Sequence, residues 1–261
     1  MKPYKVHFTE KESDITIISD LKSAIADAKK AFYHHRMDLE NYISNHKDFL
    51  TSFSPVSVNT SLKIINLMAD AAHICDVGPM AAVAGALADL MCESMKKEKE
   101  EHKIPKIALV ENGGEIIIDS KKSLRIALYA GDNELNLNIG FLIEEADCPI
   151  GIGTSSATIG HAISLGEADA VTVFAENATL ADACATRIAN IVKGNDIEKS
   201  IKKALDAADD LQEIRGVFIN RENKIGRTGK IPKMIKVEGN KNQLIHKKAE
   251  NLFMNDFEIF K

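Results

Sequence analysis

A chain of 261 residues, 45% hydrophobic and with both signs of charge, has enough apolar material for a substantial core in one large domain or two small ones. A formal net charge of −5 and a pI near 5.9 give no electrostatic case for nucleic acid, and the lack of Trp and scarcity of other aromatics remove stacking platforms for bases. The first residues, Met1 to Val6, carry no apolar signal core, and the most apolar window, Gly78 to Met91, is too short and alanine-rich to span a bilayer; a cytoplasmic protein without a membrane partner is expected.

Residues 4–9 and 14–18 are predicted strands around a charged turn, Glu10 to Ser13. Asp20 is expected to open a helix with apolar positions at Leu21, Ile25, Ala28 and Phe32. His34 and His35 fall toward its end. Adjacent helical residues point in different directions, so they read as surface histidines and a poor metal pair. Phe49 to Val58, with Pro55, reads as a loop, and Leu62 to His73 as a second helix. Gly78 before Pro79 marks another helix start, followed by the small residues Ala81, Ala82, Ala84, Gly85, Ala86 and Ala88. Lys96 to Lys103 is a charged, solvated helix end.

Ile107–Val110 and Glu115–Ile118 are predicted strands, and Asn112-Gly113 between them is a strong hairpin signal. The same glycines would also let backbone approach a ligand. More β-structure is expected at Leu124–Tyr129 and within Leu135–Ile143. The stretch from Gly151 to His161 is dense in Gly, Ser and Thr but lacks the P-loop lysine. Its hydroxyls and amides suit a polar or anionic ligand. His161 has no acidic orienter in sequence, so covalent serine chemistry is not expected.

Val171 to Phe174 suits a strand, and Asn177 or Thr179 can cap the helix that follows. There Asp182 and Thr186, four residues apart, share a face and make half a shell for a hard cation such as Mg²⁺. They fit equally as an acid favoured by the helix dipole and a packed threonine. Ile197 to Ile214 reads as an amphipathic helix. Val217–Asn220, Lys224–Ile225 and Met234–Val237 read as hairpins turned by Gly226, Gly229 and Pro232, and Asn242–Phe257 as a last helix. Cys75, Cys92, Cys148 and Cys184 are far apart and lack zinc spacing, so buried thiols are expected. The simplest reading is one mixed α+β domain over residues 1–261, in one lobe or two, with homo-oligomers left open.

Three segments, in this order, resemble the ApbE-type flavin transferases (FAD:protein FMN transferases). Asp76-Val-Gly-Pro-Met-Ala81 is similar to that family's Asp-Leu-Gly-Gly-Ile-Ala-Lys-Gly. Val110-Glu-Asn-Gly-Gly-Glu-Ile116 is similar to Val-Asn-Leu-Gly-Gly-Asp-Ile. Val171-Thr-Val-Phe-Ala175 with Leu180-Ala-Asp-Ala-Cys-Ala-Thr186 is similar to Val-Thr-Val-x-Ala with Ala-Asp-Ala-Leu-Ala-Thr. Thr154-Ser155-Ser156 stands where the superfamily has a Thr-Ser-Gly turn. The blocks from Gly78, from Glu111 and from Ser156 to Ala162 look still more like an ApbE-like family of anaerobes, a UPF-type family.

The resemblance implies an ApbE-like α+β fold, with mixed or antiparallel sheets packed with helices. It implies Mg²⁺ held by Asp182, Thr186 and the Ala81 carbonyl, beside the pyrophosphate of FAD or a related flavin or nucleotide. Gly78, Gly113, Gly114, Thr154, Ser155 and Ser156 would contact that ligand, and His161 would be the acid/base. Two departures count against ordinary FMN transfer: Ala82 stands where the transferases have lysine, and their Asp-Pro-x-Thr-Gly after the histidine is missing. The family setting also suggests an alternative, an accessory role in sulfur assimilation (homocysteine or cysteine synthesis) with Cys75, Cys148 or Cys184 as a persulfide carrier. Cys75 is the foremost of these, if the turn after it puts it at a helix N-terminus.

Overall fold

The computed structural model describes residues 2–98, 103–128, 130, 135–156 and 166–237, and the backbone of 258–259. An eight-stranded sheet runs in the order β1 (Tyr4–Glu10), β2 (Ser13–Ser19), β3 (Ile107–Asn112), β4 (Glu115–Ser120), β7 (Ile150–Ser155), β8 (Ala170–Ala175), β9 (Ile214–Arg221) and β10 (Lys224–Gly229). Every pairing in it is antiparallel. A four-stranded sheet has the order β11 (Lys233–Lys236), β6 (Ile139–Ile143), β5 (Leu124–Ala127) and β12 (Glu258–Ile259), the last pair parallel. The helices are α1 (Lys22–Asn45), α2 (Lys47–Thr51), α3 (Lys63–Cys75), α4 (Val83–Lys96), α5 (Ala178–Ile191) and α6 (Ile197–Asp209).

Strand alternation sorts the core into two layers. Ile15 and Ile17, Val110, Ile117, Val171 and Val173, and Val217 and Ile219 pack with the helices. Ile18, Leu109, Ile116 and Ile118, Ile150 and Ile152, Phe174 and Phe218 face the smaller sheet. There Phe141 meets Phe174 and Phe218 edge-on, with ring centroids 4.9 and 5.8 Å apart. The central strands are therefore covered on both faces, which is why they read as almost unbroken apolar runs. Sheets of this kind packed with helices make the expected mixed α+β architecture. Among the described residues no single helix is long and apolar enough to cross a membrane.

Several local expectations give way to longer-range pairing. Asp20 does not cap α1. Its Oδ1 accepts the N–H groups of Lys106 and Ile107 at 2.9 and 3.0 Å, tying the entry of β3 to the end of β2. The expected loop at Phe49–Val58 begins inside α2. The helix expected to reach Ile214 ends at Asp209, because Ile214 is recruited into β9 opposite Ala175. Gly226 is no turn residue. It lies within β10, where a Cβ would sit 2.3 Å from Cγ2 of Ile201 on α6, and the turn falls at Glu222, with φ +53°. The third predicted C-terminal strand leaves the large sheet and pairs with β6. The expected helix at 242–257 lies outside the described residues.

Candidate functional site

The site is built where α5 crosses α4 and β7, and glycines set how close the elements come. A Cβ on Gly85 would lie 2.3 Å from the Ala178 oxygen, and one on Gly153 would lie 2.4 Å from the Ala181 carbonyl carbon. Gly151 meets the Asn177 carbonyl in the same way. Gly151 and Gly153 thus lie in a central strand, Ile150–Ser155, on which a helix rests. Asn177 caps α5 as expected, its Oδ1 accepting the Leu180 N–H at 2.8 Å.

At this crossing each helix supplies an acid to the other's N-terminus. Asp182 on α5 accepts the Gly85 N–H through Oδ2 at 3.0 Å, and the Ala84 N–H also stabilises its charge. Asp89 on α4 accepts the Ala178 and Thr179 N–H groups at 2.9 and 2.8 Å and the Thr179 hydroxyl at 2.5 Å. Helix N-termini carry unpaired N–H groups and partial positive charge, so both carboxylates are well placed. Burial nevertheless dominates and pushes the Asp182 carboxyl up to about 7. It raises Asp89 as well.

The tip of the β3–β4 hairpin closes over the same point. The expected hairpin forms, but its two-residue turn is Gly113 and Gly114, at φ +70° and +122°, one position beyond the Asn112-Gly113 pair that signals it, because Asn112 pairs with Glu115 in the ladder. On its flank Asn112 donates to the Ala84 carbonyl at 3.1 Å. Opposite Asn112 in the ladder stands Glu115, on the helical side of the sheet. Its carboxyl is held well above the usual range, first by burial and then by the negative charges of Asp182 and Glu111, although the Thr154 N–H bonds to it. Glu115 of the second segment and Asp182 of the third therefore form one acid pair, and the helix that follows the first segment meets it through the N–H groups of Ala84 and Gly85.

The expected site residues divide as follows. Asp182 and Thr186 share the α5 face, and both keep part of their surface exposed. Ala81 is in the short 3-10 turn, Pro79–Ala82, that feeds α4, and its N–H bonds the Gly78 carbonyl at 3.0 Å. Gly78 itself is pressed against the Ser52 backbone, where a Cβ would lie 1.9 Å from the carbonyl oxygen. Thr154 contributes its backbone on the acid side, but its hydroxyl meets that of Thr172 at 3.1 Å; Thr172 belongs to the strand face of Ala170 and Phe174, away from the helices. Ser155, opposite Val171, has the helical side instead. Ser156 ends the described strand region, and His161 lies outside the described residues. Glu115, Asn112 and Asp89 were not picked out in the sequence. Their signal was an acid or amide inside otherwise apolar elements.

The thiols do not support a persulfide carrier. Cys75 is the last residue of α3, not the first of a helix, and it is fully buried. A hydrogen bond with Cys184 and burial push its thiol far up, away from the reactive thiolate. Cys184 is fully buried too, and burial raises Cys92 and Cys148.

A family model described as "AbpE bacteria" matches residues 1–222. The UPF0280 protein of Methanocaldococcus jannaschii is 40% identical over 238 residues, covering 90% of this chain and 94% of that protein. A UPF0280 protein of Methanopyrus kandleri is 37% identical over 240 residues, covering 90% and 95%. Among solved structures, the ApbE protein of Thermotoga maritima superposes with a TM-score of 0.51 at 13% identity, covering 87% of this chain and 97% of that one. The flavin transferase ApbE of Vibrio cholerae does so with 0.51 at 14%, covering 87% and 97%. At such identities these structures establish the shared fold. The chain therefore belongs to the UPF0280 family and has the ApbE-like α+β fold.

Proposed function

We propose that the chain binds a flavin or other nucleotide together with Mg²⁺ at the junction of α4, α5 and the β3–β4 hairpin. The observation that carries this reading is the meeting of the start of α4, the β3–β4 hairpin and α5 at Asp182 and Glu115, two carboxyls raised by burial and by neighbouring acids. A cation would relieve that repulsion. The donors available are all oxygens and suit a hard ion: the Asp182 carboxylate, the Thr186 hydroxyl, the Ala81 carbonyl and the Glu115 carboxylate. When bound, Mg²⁺ would neutralise the charge of a pyrophosphate. Gly113 and Gly114 offer backbone without side-chain obstruction, and Ser155 a hydroxyl on the helical side. Gly78 would act indirectly, by fixing the turn that carries Ala81. The names of the solved structures with this fold, flavin transferases among them, favour a flavin as the ligand. Ala82, in place of the transferase lysine, favours binding without the standard FMN transfer, and His161 remains the acid/base candidate.

The test is to titrate the purified protein with FAD, FMN and ATP, with and without millimolar Mg²⁺. Binding of at least one of them, tightened by Mg²⁺ and lost in Asp182→Ala with the circular dichroism spectrum unchanged, is the expected result. Failure of all three to bind at about 0.1 mM, within the usual range of substrate affinities, overturns the reading.

A further inference from the structure

We propose that His34, His35 and Asp38 on α1 form a site for one divalent transition-metal ion, with Zn²⁺ as the test case. This site is separate from the α4–α5 junction and does not depend on the reading given for it. Sequence position argues against the two histidines as a pair, but their rings come together: the centroids are 4.9 Å apart and the planes tilted by 49°. Both turn toward the same oxygen. His34 Nε2 lies 3.6 Å and His35 Nδ1 3.8 Å from Oδ2 of Asp38. The three ligand atoms all lie within 4.8 Å of one another.

These separations are too long for hydrogen bonds. They approach the spacing of ligands around an ion. Zinc bonds of roughly 2.0–2.1 Å in a tetrahedron put ligand atoms about 3.3 Å apart. The remaining adjustment is small, and the His34 side chain, 62% exposed, has room to make it. His35 supplies an independent sign. Its Nδ1 is shut off from solvent and has no hydrogen-bond partner, which is costly for a polar atom unless something else meets it. Around it, Lys63 of α3 and Glu93 of α4 pair with each other and act on His35 with opposite signs.

Two imidazoles and one carboxylate select a borderline ion such as Zn²⁺, Co²⁺ or Ni²⁺ over Mg²⁺, whose preference is for oxygen. Three protein ligands leave a fourth position for water. The experiment is calorimetric titration of the full chain, first stripped with chelator, with Zn²⁺, and a parallel Co²⁺ titration read by visible absorption. The expected result is one equivalent of Zn²⁺ bound with micromolar affinity, unaffected by millimolar Mg²⁺. His34→Ala and His35→Ala should each weaken it by at least ~10-fold, whereas Asp182→Asn should leave it unchanged. His34 is exposed, so its variant should fold normally, which circular dichroism checks. Absence of one-equivalent binding at about 0.1 mM Zn²⁺, well above the expected micromolar affinity, overturns the proposal. So does binding that survives in both histidine variants.

Discussion

Asp89 and Asp182 hold matching places at the α4–α5 crossing, yet they are used differently. Asp89 is saturated by two N–H groups and a hydroxyl from one helix turn, which makes it a clasp. Asp182, partly exposed as Asp89 is, takes N–H groups from Gly85 and Ala84 but no hydroxyl, and faces the charge of Asp89 while its own charge acts on Glu115. One helix-end acid thus holds the fold together, and its counterpart retains capacity for a ligand. The same crossing serves both because glycines bring the backbones within reach.

The largest expected effect comes from breaking the crossing itself. Gly85→Ala would place a Cβ against the Ala178 carbonyl, where backbone cannot yield cheaply. A loss of about 3 kcal/mol in denaturant-measured stability should follow, together with loss of nucleotide binding. Next, Asp89→Ala strands the donors of Ala178 and Thr179 and should cost about 2 kcal/mol. Asp89→Asn, which keeps acceptor capacity, should cost less, and neither should abolish Mg²⁺-dependent binding.

Asp182→Asn should do the reverse. At about pH 4, where the folded carboxyl is neutral like the amide, stability should change by less than about 1 kcal/mol, while near pH 7 Mg²⁺-dependent nucleotide affinity falls at least ~10-fold. Its pH signature has a definite sign. A carboxyl raised to about 7 in the folded protein is protonated there while its unfolded counterpart is ionised. The folded state then binds more protons, so this contribution to stability is full below the ordinary carboxylate range and is lost as pH rises toward 7. Urea midpoints of the wild type should therefore fall more steeply between pH 4 and 7 than those of Asp182→Asn. Equal slopes would show that Asp182 is not the titrating group. The smallest effect is expected at Thr154→Val, which removes the hydroxyl pair with Thr172 on the opposite face. A loss of about 0.5 kcal/mol with unchanged ligand binding would separate that face from the acid site.

Much of this was legible in the sequence where the signal is local. The β3–β4 hairpin, the β8–α5 junction with its Asn177 cap, and the Gly78-Pro79 helix start all follow from turn chemistry and side-chain period. Asp182 was legible as a helix-face acid, and its family likeness pointed to the hairpin whose Glu115 its charge acts on. Glu115 and Asp89 were not, because an acid in an apolar element is explained by what packs over it, and that partner is remote in sequence. Gly226 was misplaced for a related reason. A glycine marks a turn or a close approach equally well, and only the position of α6 distinguishes them. His34 and His35 show a further limit: helical periodicity sets where side chains leave the backbone, while rotamers bring the rings to Asp38.

The sequence by itself determined the alternating strands, the amphipathic helices, the punctuation by Gly, Pro and Asn, and the family likeness, since these reside in neighbouring residues and in motif order. Tertiary structure alone decided which residues share a site. Asp182 reaches an N–H 97 positions away, and Asp89 reaches donors 89 and 90 positions away. Burial at that crossing then changes the protonation of its acids, a property that no residue carries on its own.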